Sequence, residues 1–364
     1  MLGTAIQSAL AMGLNLRNAA DEVPFSSKEI RYRVWWALFV LDSSLQMITG
    51  RPPQTNTSFC TTPLPIPYRE EDFLDNTIRH LFTDVCARNH FLAPLLLFGS
   101  AADPIKCVTP LDRTQNTGPK TNDAKLKEKS KEEVTKQVTP AIPKVSSFFL
   151  HAVDLAHLTH KVIEIVYSPQ RPQCSSSDLG MLISNFNESI DQWLLQLPGE
   201  LNFTTNHKML PSSHQSVSLG FRFYAAKIVI NKPSLHQLAY KSRRSHPTQS
   251  FDHTTAEICV RAACQMLDLL PTKVDLAWLY GSTPCWLVLH YIMLSIAVLM
   301  IQLFMCSEAK FSEEDRVIEQ IQKALRWLKS MSINDASAGK AWRICNKILS
   351  QHNSQCSSVI EQGP

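Results

Sequence analysis

The chain has 364 residues, of which 44% are hydrophobic and 19% charged, so it can bury a large core and is not globally disordered. Its 36 basic and 32 acidic residues give a formal net charge of +4, which is too balanced for a surface that coats nucleic acid. Apolar residues recur with helical spacing from the opening MLGTAIQSALAMGLNLR onwards, and no run alternates as strands do. The sequence therefore predicts an all-α fold.

The second predicted helix extends from about residue 27 to residue 49. Ser26 and Glu29 have the spacing of a capping box, in which the two side chains accept hydrogen bonds from free amides at the helix start. At the other end, Gly50 suits the left-handed conformation that follows a helix, and Pro52 prevents the helix from continuing. These signals predict a helix that is long for a globular protein.

An apolar stripe follows this helix, and we expect it to face the core. It comprises Ile30, Val34, Ala37, Leu38, Leu41, Leu45 and Ile48, widened by Trp36, Phe39 and Val40. A narrow band elsewhere holds Arg31, Trp35, Asp42 and Gln46. Asp42 disfavours a membrane span, and the spacing of Glu29 and Arg33 predicts an ion pair within the helix rather than phosphate contacts. We expect a buried helix in which Asp42 has a cationic partner, with Arg51 as the nearest candidate.

Residues 100–145 differ from the rest of the chain, because they are rich in Thr, Pro and Lys and nearly free of large apolar groups. Such a segment cannot bury enough apolar surface to order itself, so we predict a disordered insertion. Its lysines fit a solvated loop better than a nucleic-acid-binding arm. Shorter polar stretches near residues 207–216 and 240–253 separate later helices.

The segment HAVDLAHLTHKVIE contains five potential metal ligands: His151, Asp154, His157, His160 and Glu164. Steps of three residues turn successive side chains by about 60° around a helix, so the first four of these positions fan across half its surface. His157 and His160 lie close enough to share a metal, but no third ligand is fixed beside them. We therefore predict histidines on a polar face and no metal site. No nucleophile motif or phosphate-binding loop occurs, so the sequence predicts no enzyme.

Residues 284–306 carry no formal charge and are long enough to span a membrane. His290, Ser295 and Gln302 lie within them, and the flanks show no basic bias, so a buried core helix is favoured. The ten cysteines include no CxxC pair, and we expect reduced thiols. Among them, the cysteines of EICVRAACQMLDLL, Cys259 and Cys264, are expected in the core.

The segment EIRYRVWWALFVLDSSLQMITGRPP, preceded by SALAMGLNLR, resembles the regulatory middle domain of fungal binuclear zinc-cluster transcription factors. The family signature is an Arg-rich helix start, a Trp pair, Leu-Asp and then Gly-Arg-Pro. Its matches in this sequence are Arg31, Arg33, Trp35, Trp36, Leu41, Asp42, Gly50, Arg51 and Pro52. Three later segments resemble the family in the expected order: WLLQLPGELNF, FRFYAAKIVINKPSL with Lys232 in place of the usual arginine, and ALRWLKSMSINDASAGKAWRICNKIL. The resemblance covers nearly all of the chain except the insertion.

The resemblance also shows what this sequence lacks. Members of the family carry an N-terminal six-cysteine cluster that holds two zinc ions and reads DNA. Without CxxC pairs, no residue of this sequence takes a zinc-binding or base-contacting role, so we expect no cofactor in this chain. The resemblance implies an N-terminally truncated chain that reaches DNA only through a missing N-terminal region.

We therefore predict a large, irregular helical domain. Its predicted parts are residues 1–99 as the first part of the domain, residues 100–145 as the insertion, residues 146–350 as the remainder and residues 351–364 as a tail. The resemblance implies a nuclear regulatory domain that modulates transcription by RNA polymerase II, without enzymatic activity or membrane association. Expected partners are a small-molecule effector, a co-regulator or a second copy of the chain. The alternatives are a stand-alone interaction protein that acts as a dominant-negative fragment, and a membrane-associated helical protein.

Overall fold

The computed structural model describes residues 1–18, 20, 22–97, 144–167, 176–204, 213–243, 250–305 and 314–360. Within these ranges the chain forms twelve α-helices, four short 3₁₀ helices and no strand, which confirms the all-α prediction. Nearly all of the predicted insertion lies outside the described residues, and so do residues 207–212 and 244–249 of the two shorter polar stretches.

The α-helices follow one another along the described chain from residue 2 to residue 360. They are α1 (Leu2–Ala11), α2 (Phe25–Thr49), α3 (Asn76–Thr83), α4 (Val85–Leu92), α5 (Lys144–Val166), α6 (Ser176–Gln196), α7 (His214–Arg243), α8 (Ser250–Asp268), α9 (Leu276–Ser282), α10 (Cys285–Leu303), α11 (Glu314–Met331) and α12 (Ala336–Ile360). The 3₁₀ helices are Thr57–Phe59, Glu70–Leu74, Ala93–Leu95 and Gly199–Leu201. Where a tail was predicted, α12 continues through Ile360, and the last four residues lie outside the described part.

The described helices belong to two compact units, and the division falls within α2 and within α5. The first unit comprises Met1–Val40 and Gln54–Asp154. The second unit comprises Leu41–Pro53 and Leu155–Pro364.

Aromatic packing forms the core of the first unit. Tyr68 and Ile78 are fully buried there, with Phe73 and Phe82 packed around them. The rings of Phe73 and Phe82 meet edge to face with centroids 5.0 Å apart, a favoured arrangement of aromatic pairs. Because Ile66 and Tyr68 lie in the irregular segment after α2, this core fixes a stretch of chain that has no regular structure.

In the second unit, α7 and α8 pack along each other, α10 packs against α8 and α11, and α11 packs against α12. The family-like segments supply Trp193, Phe221 and Phe223 to this core. Trp193 stacks on Phe223 with centroids 5.9 Å apart, and Phe221 stacks on Tyr291 at 5.5 Å. Cys259 and Cys264 are buried, as predicted.

Helix α10 is long and apolar enough to cross a membrane, as expected from its sequence. In the structure, 61% of the most apolar 18-residue stretch of this helix is buried inside the protein. Its buried side chains include Leu287, Tyr291 and Ile296. Such burial is typical of the core helix of a folded domain.

Candidate functional site

Two tryptophans of α2 attach this helix to the segment that follows it. Trp35 is 1% exposed, and its indole Nε1 donates to Cys60 Sγ at 3.1 Å. Trp36 is 4% exposed, and its Nε1 donates to the Pro63 carbonyl at 2.9 Å. Each indole thus buries a large apolar ring and still satisfies its single donor, which explains a Trp pair at these positions.

The carboxylate of Glu29 is the polar centre of the first unit. Its side chain is fully buried, its Oε1 accepts from the Ile66 backbone N–H at 2.8 Å, and its Oε2 pairs with the Arg88 guanidinium. Arg88 is itself buried, donates through Nε to the Leu64 carbonyl at 2.8 Å and lies over the Tyr32 ring. A buried carboxylate requires such a neutralising and hydrogen-bonded environment.

This network corrects the predicted capping box. Glu29 directs its carboxylate to Ile66 and Arg88, not to the amide of Ser26, and α2 begins earlier, at Phe25. The predicted ion pair within the helix is present, because Arg33 Nε lies 3.6 Å from Glu29 Oε1. Sequence reasoning missed the role of Arg88, because a partner 59 residues away leaves no local pattern.

The face of α2 that is buried differs from the predicted one. Ile30, Val34 and Leu41 of the predicted stripe are 41%, 44% and 38% exposed. Trp36, Phe39 and Val40, which widened the predicted stripe, are buried as expected. The other buried positions of α2 are Glu29, Tyr32, Trp35, Asp42, Ser43, Ser44 and Gln46. The large aromatic rings have more apolar surface to hide than the aliphatic stripe, so they decide which face packs. Glu29 can share that face because Arg88 neutralises it.

Four other signature residues lie towards the two ends of the helix. Arg31 donates through Nη2 to the Met12 carbonyl at 2.7 Å, at the end of α1. Gly50 has φ +63 and its N–H bonds to the Gln46 carbonyl at 2.9 Å, which confirms the predicted left-handed helix end. Arg51 and Pro52 follow and are exposed.

Asp42 is buried with 5% exposure, as a core helix requires of this position. Burial lowers the pKa of the His160 imidazole on α5, and the charges of Glu164 and of Asp42 partly oppose this shift. His160 is therefore an electrostatic neighbour of Asp42. The sequence analysis named Arg51 as the candidate partner and did not consider a histidine.

The histidines of α5 are buried, which corrects the prediction of a polar face. His151, His157 and His160 are each at most 4% exposed. Burial lowers the pKa of His151 to about 4 and that of His157 to about 3, so both imidazoles are neutral at pH 7. Among the described residues, no group of three or more His, Cys, Asp or Glu side chains is arranged to hold a metal ion.

The cysteines show one departure from the expected reduced state. Cys86 of α4 is disulfide-bonded. The free thiols of the described chain are Cys60, Cys259, Cys264, Cys285 and Cys345. The sequence alone did not indicate this bond, because disulfide connectivity cannot be deduced from the positions of cysteines.

An open cleft of about 390 Å³ lies in the first unit beside the exposed face of α2. Its wall is mostly apolar, formed by Ile30, Val34, Ala37, Pro65, Ile66 and Phe149. Arg33, Glu70 and Ser146 are the polar residues that line it. An apolar wall with a few polar groups is typical of a site that binds a small molecule.

The later family-like segments have structural roles in the second unit. Asn231 of α7 is fully buried and exchanges two amide hydrogen bonds with Asn187 of α6, at 2.8 and 2.9 Å. Pro233 lies inside α7 and has no N–H for the Val229 carbonyl, which instead accepts from the Tyr167 hydroxyl at 2.7 Å. The segment FRFYAAKIVINKPSL therefore has two structural roles. Its asparagine links α7 to α6, and its proline interrupts α7 at a point where a tyrosine hydroxyl replaces the missing backbone donor.

Comparison with known proteins shows which sequences this chain resembles. A family described as "Fungal specific transcription factor domain" matches residues 1–202. The "Transcription regulator galc" of Aspergillus niger is 28% identical over 380 aligned residues, which cover 95% of this chain and 43% of that protein. The "Thiamine repressible genes regulatory protein thi1" of Schizosaccharomyces pombe is 34% identical over 64 residues, or 18% of this chain and 8% of that protein.

The chain thus spans less than half the length of the Aspergillus protein. No solved structure matches the chain.

Proposed function

Because the chain belongs to the family of fungal specific transcription factor domains, we propose that it is the regulatory part of a nuclear transcription factor and alters that factor's output when a ligand or partner binds. The observation that carries this proposal is the family match over residues 1–202, continued by the Aspergillus regulator through 95% of the chain. DNA contact in such a factor is assigned to residues outside this chain, since no CxxC pair occurs in it.

The proposed mode of action is binding and not catalysis. The described first unit offers an apolar cleft with a preorganised arginine, and its core contains an ion pair that holds α2 against the neighbouring chain. A ligand that binds one arrangement of these helices more tightly than another shifts the population towards it. That shift would alter how the domain presents the activating parts of the factor.

The proposal is tested with a transcriptional reporter. The chain is placed between a heterologous DNA-binding module and an activation segment, and reporter RNA is compared with that of the same fusion lacking the chain. We expect the chain to change the output, and we expect Arg88→Met, which destabilises the first unit, to abolish that change at equal protein abundance.

Identical output with and without the chain would contradict a regulatory role. A solvent-exposed substitution in the same unit, Arg79→Met, serves as the matched control and should behave as the natural chain does. The alternative of a stand-alone interaction fragment is not favoured, because the similarity to a transcription regulator continues across nearly the whole chain.

A further inference from the structure

The cleft in the first unit has the size of a small-molecule site. Its volume of about 390 Å³ lies within the range of roughly 300–1,000 Å³ that ligand pockets occupy. A docked protein partner would need a much larger surface, on the order of 800 Å² from each side. Ile30 and Val34 leave close to half of their surfaces exposed beside it, so a ligand would cover apolar groups that now face water.

Arg33 is held in place at the edge of this cleft. Its Nη2 donates to the carbonyls of Ile66, at 3.3 Å, and Tyr68, and its guanidinium carbon lies 4.9 Å from the centre of the Phe73 ring. The Nε–Glu29 distance of 3.6 Å is too long for a hydrogen bond. Within the part of the chain that the structure describes, Nη1 makes no hydrogen bond, so its two N–H groups remain available to a ligand.

The buried carboxylate beside Arg33 is shared with a second guanidinium. Glu29 lies 3.6 Å from Arg33 Nε, and it also accepts from the Ile66 amide and pairs with Arg88. Two guanidinium groups therefore share one carboxylate. Glu70 also lines the cleft, but its side chain is exposed, so water screens its charge. Arg33 is only 25% exposed, and its contacts with two carbonyls fix its position.

We propose that this cleft binds a small, mostly apolar molecule that carries a carboxylate. The carboxylate accepts hydrogen bonds from Nη1 of Arg33, and the apolar body covers the wall formed by Ile30, Val34 and Ala37. Charge-assisted hydrogen bonds from a group that is already ordered cost little conformational entropy, which favours the acid over uncharged analogues. The inference rests on the proposed function, because such a molecule would be the effector, but its test does not depend on transcription.

Three probes that share one apolar body test the charge preference: naphthylacetate, naphthylethanol and naphthylethylamine. Each is titrated into the purified full chain by calorimetry. We expect naphthylacetate to bind at least about tenfold more tightly than either of the others, a difference that calorimetry resolves easily. Equal affinities would show that Arg33 does not select the ligand, tighter binding of the amine would assign the site to Glu70, and no binding of the acid at millimolar concentration would remove the site. Each of these results overturns the proposal.

Substitutions test the location. Ala37→Trp fills the cleft from an exposed position and should weaken binding of naphthylacetate by about tenfold or more. Leu74→Trp adds the same ring at a 91% exposed position that does not line the cleft, and should bind as the natural chain does. Circular dichroism verifies that both variants are folded. Unchanged binding of naphthylacetate by Ala37→Trp would show that the probe binds outside the cleft. This result does not depend on the transcriptional reporter, so the proposed ligand site and the proposed regulatory function can fail independently.

Discussion

Glu29 of α2 and Arg88 of α4 form an ion pair in which both side chains are removed from water, with 0% and 3% exposure. Breaking such a pair leaves a carboxylate buried without its counterion, which costs on the order of 3 kcal/mol of stability. We therefore expect Arg88→Met to lower the free energy of unfolding of the first unit by about 3 kcal/mol. Urea denaturation measures the loss, and hydrogen exchange of α4, which lies wholly within the first unit, assigns it to this unit.

The double variant Glu29→Gln with Arg88→Met removes the stranded charge and should recover part of this loss. If the double variant were no more stable than Arg88→Met alone, the stability would depend on packing of the arginine and not on the charge of Glu29.

Gly50 ends α2 in a left-handed conformation, with φ +63 and open space around its Cα. A side chain at this position meets no neighbour, so its cost is that of the backbone conformation alone, about 1 kcal/mol for alanine. Gly50→Ala should lower the midpoint of urea denaturation accordingly. Gly50→Asn should lose less, because asparagine tolerates this conformation better than alanine does.

Gly199 provides the matched control for this experiment. A Cβ there also meets nothing within 4 Å, but its φ is not positive. Gly199→Ala should therefore change stability by less than about 0.5 kcal/mol, as surface substitutions generally do. Equal effects at the two glycines would rule out the backbone conformation as the cause.

The sequence predicted the existence of α2 and its C-terminal end, because Gly50 and Pro52 are local signals. It did not predict which face of α2 is buried, since the choice depends on Arg88, Cys60 and Pro63, which are distant in sequence and supply the partners of Glu29, Trp35 and Trp36. The predicted stripe was derived from the apolar residues of α2 alone, without the residues that pack against this helix.

The candidate site was less predictable than the fold. Residues on α2, on the segment after it and on α5 form the cleft together, and no motif spans the three. Arg33 was identified by its family resemblance and by its spacing from Glu29. Its contacts with the carbonyls of Ile66 and Tyr68, which make it a fixed donor, depend on an irregular segment whose path has no periodic pattern.

Tyr167 repairs the interruption that Pro233 makes in α7. Its hydroxyl donates to the Val229 carbonyl at 2.7 Å, where residue 233 of an uninterrupted helix would donate its N–H. We expect Tyr167→Phe to cost about 1 kcal/mol of unfolding free energy in the natural chain, as a single lost hydrogen bond does. In a Pro233→Ala background the backbone N–H returns, so the same substitution should cost much less.

A double-mutant cycle with urea denaturation measures this difference. The same cost of Tyr167→Phe in both backgrounds would indicate that the Tyr167 ring, which is 44% exposed, stabilises α7 through packing and not through its hydroxyl.

His157 of α5 makes the stability of the second unit dependent on pH. Burial, with smaller effects from Lys161 and His160, lowers its folded pKa to about 3, below the value near 6.5 that it has when unfolded. The unfolded chain therefore binds the proton first as pH falls. The stabilisation is complete above about pH 6.5 and decreases as pH falls towards the folded pKa, with about 1.4 kcal/mol lost by pH 5.5.

The measurement is the difference in unfolding free energy between pH 7.5 and pH 5.5 for each variant. Taking this difference removes any change in stability at pH 7.5 that the substitution itself causes. His157→Leu should reduce this difference by about 1.4 kcal/mol, while His290 of the same unit, whose pKa burial lowers to about 4, maintains a residual dependence. The solvent-exposed control His90→Gln should leave the difference unchanged. A His157→Leu chain with the full pH dependence of the natural chain would show that His157 is protonated in the folded state, contrary to its burial.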